Sequence, residues 1–399
     1  MKYSFNRTIN QSEMRAINRS AILEYFRLNG LASRTEIAHQ LDLSLPTVKR
    51  IIDQLLEENL VRTSGKKESG RGRRRELLEL NFKENAVISV DLGGLHMMGA
   101  IINIGGEILY SESTSEEGNS ADQNCEKLID LIKSLLEIAE NRCIHIMGCA
   151  IGVPGIVQRE SGLIQIAPGL SWKEYPLMHK LKQQLDIPIL LENDVNMAAL
   201  GEYWFGGGRG KQHMVFVAVG SGIGSGVIIN GSLYYGHTES AGEIGYILPG
   251  IEFLDREFKG YGAIELLASG KGIAAMGKAV LIHSGRPELA AKVTAEQIFE
   301  AARNNEDWAS EIVKKVIDYL SLLIANVSSC FDPELIVLGG GILRSSDLLI
   351  EPICERVQRV IPNVPEIAAT KLDDRAALYG GVVVVFQAAA NYAFVSSLN

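Results

Sequence analysis

The 399-residue chain holds five cysteines, Cys125, Cys143, Cys149, Cys330 and Cys354, and no two stand in a Cys-x-x-Cys spacing. An odd, scattered set excludes a complete intramolecular disulfide framework and reads as small buried hydrophobes in a reducing compartment. No apolar run approaches the roughly 18 residues that a membrane helix needs, so no membrane partner is expected. The opening MKYSFNRTINQSEMRAINRS lacks the apolar core of a secretory leader, which makes a cytoplasmic protein the expectation.

What is present is ordinary for a globular chain, with 46% hydrophobic and 22% charged residues, and the length favours two or three compact units. Charge is divided unevenly. Residues 1–80 hold 15 Lys and Arg against 10 Asp and Glu, a net +5, while the remainder holds 24 against 38, a net −14. A basic head on an acidic body points to a polyanion that meets the head alone.

Within that head, apolar residues from Met14 to Leu28 recur at helical spacing until Asn29-Gly30 stops them. Ser33 followed by Glu36 forms a capping box for a second helix, and Ser44 caps a third that runs from about Leu45 to Glu58. Two short helices in quick succession make a helix-turn-helix, whose third helix turns Ser44, Pro46, Thr47, Lys49 and Arg50 outward. Hydroxyl, Lys and Arg groups suit phosphate oxygens and guanine edges. Next, short strands around Val61 and Leu77-Leu78-Leu80 flank a Gly-rich basic loop with Arg71, Arg73, Arg74 and Arg75. That is the composition of a wing or of a solvated linker, and its place after a helix-turn-helix favours DNA.

From Ala86 the pattern becomes strand, Gly turn, strand, then helix, and it begins again near His213, about 125 residues later. Two similar lobes with mixed sheets and a ligand between them follow from such a repeat. Glycine clusters close three strands: Asp91-Leu92-Gly93-Gly94, the run holding Gly220, Gly222 and Gly224, and Gly339-Gly340-Gly341. Glycines let backbone N–H groups approach phosphate, so these are candidates for a nucleotide cleft. The fold expected is therefore α/β, with a winged helix-turn-helix over 1–80 and a two-lobed unit over 81–399. Lobe one takes about 81–195 plus the C-terminal helix, and lobe two about 196–380.

The chain resembles the ROK family (repressor, open reading frame, kinase), in particular its branch of xylose and N-acetylglucosamine repressors. The resemblance rests on GRGRRRELLELN, LENDVNMAALGE, ESAGEIGYI and AIELLASG and covers essentially the whole chain. It implies an actin/hexokinase-like body of the ribonuclease H-like class. It also implies a sugar site at Asn193, Asp194, Glu243, Tyr246 and Glu265, in which Asp194 matches the general base of the kinases. A polyol needs several acceptors converging on one place, and a carboxylate beside a hydroxyl can take its proton. Asp194 also stands where a helix N-cap would.

Departures from the family pattern are concentrated at the sites. Tyr246 stands where family members carry a zinc-binding histidine, and ILPGIEFLDREFKGYGAIE contains none of the family's three loop cysteines, so zinc is expected to be absent. His237 nearby is a lone histidine, more readily a surface residue than a ligand. Gly169 replaces an asparagine that faces the sugar, and Leu95 replaces a phosphate-binding threonine, which weakens the case for turnover and leaves ATP–Mg as an open question. The expectation is a DNA-binding regulator, a repressor of carbohydrate-use genes controlled by a monosaccharide, with no catalytic role. It should act as a homodimer or tetramer on a palindromic double-stranded operator. The alternatives are a bifunctional sugar kinase with a DNA-binding head and a regulator governed by a protein partner.

Overall fold

The computed structural model describes residues 11–67, 75–93, 96–115, 120–167, 170–258 and 262–390. Helix α1 (Gln11–Asn29) stops where Gly30 turns to φ +73 and donates its N–H to Phe26 O at 2.8 Å. Helix α2 (Arg34–Gln40) begins with the Ser33–Glu36 capping box, and α3 (Leu45–Glu57) with Ser44, whose Oγ accepts from Thr47 N. Val48, Ile51, Ile52 and Leu55 of α3 are buried, whereas Leu56 is only half-buried. Strands β1 (Val61–Lys67) and β2 (Arg75–Leu80) pair antiparallel, and a bridge from Ala32 to Leu78 ties the first turn to this hairpin.

The next unit follows within a few residues. Strands β3 (Asn85–Leu92), β4 (His96–Asn103) and β5 (Ile108–Ser115) pair antiparallel, and α4 (Ala121–Asn141) covers them. Strand β6 (His145–Val153) then adds parallel to β3, and a small sheet of β7 (Ile156–Gln158), β8 (Leu163–Ala167) and β9 (Trp172–Tyr175) intervenes. After α5 (Leu177–Lys182), β10 (Ile189–Asn193) completes the order β10-β6-β3-β4-β5 and runs straight into α6 (Asp194–Phe205).

Strands β11 (Met214–Val219), β12 (Ile223–Ile229) and β13 (Ser232–Leu233) open the second lobe. Its helices are α7 (Glu265–Ala268), α8 (Gly270–His283), α9 (Pro287–Ala290), α10 (Ala295–Arg303) and α11 (Asp307–Phe331). Then come β14 (Leu335–Gly339), α12 (Ser346–Val360), β15 (Glu366–Ala369) and α13 (Ala376–Ala389). The sheet order β13-β12-β11-β14-β15 repeats the first lobe. In each, the opening strand is central, with two strands added by antiparallel pairing on one side and two by parallel pairing on the other. The strand–glycine–strand repeat read from the sequence is thus a repeat of topology.

Helix α6 lies between the lobes. Glycines set how close it packs: a Cβ on Gly201 would stand 2.1 Å from Ala376 O of α13, and one on Gly226 of β12 would stand 2.4 Å from the Ala199 Cβ. A division of lobes after residue 195 therefore assigns to one lobe a helix that packs against both.

Candidate functional site

The candidate nucleic-acid face is built on α3. Ser44, Pro46, Lys49 and Arg50 are exposed and Thr47 is half-buried, so the outward row inferred from periodicity is the outward row of the folded helix. Pro46 in the first turn removes an N–H that has no intrahelical partner. Ser44 Oγ lies 2.8 Å from Thr47 Oγ1, so the two hydroxyls begin as a cap pair. Behind this row, Arg34 bonds Asp53 of α3 at 3.0 Å and also Glu76 of β2, which holds the helix against the hairpin. Arg75 opens β2, while Arg71, Arg73 and Arg74 lie outside the described residues.

Not all of the head's positive charge faces outward. Arg19, Arg27, Arg34 and Arg62 are each engaged by a glutamate. The charge count alone could not separate these structural arginines from DNA-facing ones.

The second site lies at the junction of β10 and α6. The helix cap is Asn193, whose Oδ1 accepts from Asn196 N at 2.9 Å and whose Nδ2 donates to Gly155 O at 2.9 Å. This corrects the alternative reading of Asp194 as the cap: Asp194 is the first helical residue, and its Oδ1 accepts from Val195 N at 2.9 Å. Burial pushes the Asp194 carboxyl up to about 6, against the lowering effect of that backbone bond. The cleft beside it is lined by Gly155, Asn193, Gly224, Ser225, Glu239 and Glu243.

Glu243 is pushed above the usual carboxylate range by burial first and by the charges of Glu265 and Asp194 next, which places the three carboxyls in one electrostatic neighbourhood. Glu265 sits at the start of α7 and clips the floor: its Oε1 accepts from Ile223 N at 2.8 Å and its Oε2 from Gly262 N at 2.7 Å. Tyr246 is 57% exposed at the rim, and partial burial beside Glu243 and Glu265 raises its phenol. Sequence-derived sugar candidates are therefore brought together, with Glu265 committed to backbone and Asn193 to its cap.

The glycine candidates divide. A Cβ on Gly222 would meet Glu265 Oε1 at 2.5 Å, one on Gly224 would meet Val195 at 3.3 Å, and Gly340, at φ +89, lies against the Val219 backbone. These three have packing reasons of their own. Gly220 and Gly341 open onto free space, although Gly220 already donates its N–H to Gly222 O. Asp91 is the next-to-last residue of β3 and Gly93 follows its end, while Gly94 lies outside the described residues, as does Leu95.

Residues that the sequence did not single out close the rim. Glu192, 3% exposed, accepts from Asn193 N at 2.9 Å, from Asn196 Nδ2 at 3.1 Å and from the Tyr235 hydroxyl at 3.0 Å. Arg159 stands 3.4 Å from Glu192 and lies over the Tyr235 ring at 3.9 Å, while its backbone N–H reaches Glu239 at 3.0 Å. Arg159 and Glu192 belong to the first lobe and Tyr235 and Glu239 to the second, so this network spans the cleft. Its sequence signals were the position of Glu192 directly before Asn193 and that of Glu239 at the head of ESAGEIGYI.

A tetrahedral zinc site does not fit the donor set beside the cleft. Tyr246 and the following stretch offer a phenol, apolar groups and the carboxylates Glu252, Asp255 and Glu257, with no Cys or His. Phe253 packs near Phe258 at 6.4 Å with Arg256 over its ring at 4.8 Å. Among the described residues no cluster of three His, Cys, Asp or Glu is placed to hold a metal ion.

The model of the ROK family matches residues 87–388, and a winged helix-turn-helix DNA-binding model matches residues 15–62. The chain is 29% identical to a xylose repressor of Caldicellulosiruptor bescii over 389 residues, 94% of this chain and 97% of the relative. It is 30% identical to a glucokinase of Halalkalibacterium halodurans over 310 residues, which span 74% of this chain and 94% of the relative. Among solved structures, a ROK family transcriptional regulator homologous to the E. coli MLC protein superposes with a TM-score of 0.81 at 22% identity, covering 95% of this chain and 97% of that one. A glucokinase of Streptomyces griseus in complex with glucose and AMPPNP superposes with a TM-score of 0.66 at 26% identity, covering 76% of this chain and 99% of that one.

Proposed function

Because the chain belongs to the ROK family, we propose that it is a DNA-binding repressor of sugar-use genes whose operator affinity is set by a monosaccharide in the interlobe cleft. The observation that carries this reading is the pairing, in one chain, of an outward Lys49–Arg50 helix with a carboxylate-lined cleft. Relatives named xylose repressors align over both parts, whereas relatives named glucokinases align over about three-quarters of the chain.

In this reading α3 enters the major groove. Lys49 and Arg50 read base edges there, and the Arg71–Arg75 wing follows the backbone. A dimer or tetramer presents two such helices to a palindromic operator. In the cleft, Asp194 and Glu243 accept sugar hydroxyls, Tyr246 offers a donor and an aromatic face, and Glu265 holds the floor. Gly220 and Gly341 are the open backbone where nucleotide phosphate would approach. Asp194, poised near 6, favours a kinase, since a carboxylate so placed can accept a hydroxyl proton.

A thermal-shift screen against common monosaccharides, N-acetylhexosamines and ATP–Mg tests the reading, because a ligand of the native state must stabilise it. Stabilisation by a monosaccharide and not by ATP–Mg is the expected result. Stabilisation by both, with sugar phosphorylation abolished in Asp194→Asn, would replace this reading with the enzymatic one. Silence across the set would favour control by a protein partner.

A further inference from the structure

Helix α6 begins at the cleft with Asp194 and ends, about 18 Å away, at Trp204 and Phe205. It cannot slide freely along α13. Besides the contact at Gly201, a Cβ on Gly380 of α13 would stand 1.7 Å from Met197 O, so the two backbones touch with no side chain between them. Glu202, fully buried, ties the far end down: its Oε2 accepts from Gly207 N at 2.9 Å, and its Oε1 accepts from Lys371 N at 3.1 Å and from the Thr370 hydroxyl. Close-packed elements transmit a displacement rather than absorb it, so a displacement of α6 would be passed to α13.

At that far end the pair meets the DNA-binding head through two arginines of α1. The Arg27 guanidinium, on a residue only 8% exposed, lies 4.7 Å over the Trp204 ring and donates to Trp204 O at 3.4 Å. Arg209, in the segment after α6, donates back to Arg27 O at 3.0 Å, and Trp204 packs edge-on against Phe386 of α13. Arg19 donates its Nε to Ala390 O, just past the end of α13, at 2.7 Å. The same guanidinium binds Glu58, the C-cap of the recognition helix α3. Between β2 and β3 there is no long linker to dissipate motion, and Asn85 Nδ2 donates to Asn59 O at 2.8 Å across that joint.

We propose that Arg19 and Arg27 are the positioning residues through which an occupied cleft reorients the recognition helix: α6 and α13 carry the displacement, Arg27 takes it up at Trp204, and Arg19 passes it to the cap of α3. The proposal rests on the regulatory reading above. It requires that sugar bind the two arrangements of α6 unequally, since a ligand shifts an equilibrium only by its differential affinity.

The test uses the full chain with D-xylose and D-glucose as probes and an operator selected from random duplexes. The parent, Arg19→Gln, Arg27→Gln, the double variant and Arg27→Lys are compared by sugar affinity, operator affinity without sugar, and operator affinity with saturating sugar. The double variant should keep the first two within about threefold of the parent and lose a sugar-induced shift of at least about fivefold. Arg27→Lys keeps a cation over Trp204 and should restore part of that shift relative to Arg27→Gln. A double variant that responds like the parent overturns the proposal. A parent whose operator affinity ignores both sugars contradicts the regulatory reading itself, and the proposal falls with it.

Discussion

Asp194 carries a carboxyl held near 6 by burial, well above the 3.8 of an unperturbed aspartate. A folded pKa above the unfolded one means that the native state binds the proton more tightly. Ionisation therefore opposes folding, and stability falls as pH rises from 3.8 through about 6. Asp194→Asn should raise the melting temperature at neutral pH, and that advantage should fade as pH is lowered through the same window. The substitution should also weaken sugar binding by about 1.5–3 kcal/mol, the usual contribution of a hydrogen bond to a charged acceptor. Unchanged sugar affinity by calorimetry would remove Asp194 from the site. At the head, Arg50→Ala and Lys49→Ala should each weaken operator binding by about 1–3 kcal/mol if they read bases, while equal losses on random duplexes would assign them to phosphates. The convergence of Asp194, Glu243 and Glu265 was legible in motif residues. The Arg159–Glu192–Tyr235–Glu239 network was not, since its members lie far apart in sequence and only folding brings them across the cleft.

At the scale of elements, the long and strongly patterned pieces followed from periodicity and capping. The capping box at Ser33, the cap at Ser44 and the buried row of α3 all stand where helical spacing places them. Short elements escaped. Strands β7 and β9 have three and four residues, and β15 has four with no fully buried side chain, so neither period nor apolar run marks them. The glycines of α6 and α13 gave no helical signal either, yet they set how closely these two helices pack. Gly380→Ala should therefore destabilise the chain by about 1–3 kcal/mol through overpacking, although alanine is the better helix former. Chemical denaturation reads this as a lower midpoint with an unchanged slope. A midpoint that stays put or rises would show that the two helices separate readily, which would also weaken their role as a single moving unit.

For the molecule as a whole, the basic head and acidic body remain the right partition of charge, but part of the head's positive charge is internal. Arg19 and Arg27 join the head to the body, and Arg34 and Arg62 brace its hairpin. Head and body share one continuous hydrophobic cluster that includes Phe26, Trp204 and Phe386, so the head is packed onto the ends of α6 and α13 and not merely tethered. Composition could not reveal this, because apolar residues at the joint look like core of either unit. Operator binding should fall steeply with added salt, since the exposed Lys49 and Arg50 would release counterions on meeting phosphates.

The most direct test of a sugar-controlled DNA switch is one titration. The full chain is bound to its selected operator with and without the monosaccharide that raises its melting temperature most. A shift of the binding midpoint by about 5- to 150-fold, reciprocated by an equal change in sugar affinity when operator is present, is the predicted result. A sugar that stabilises the protein yet leaves the operator curve unmoved would contradict the account, because cleft and recognition helix would then be independent.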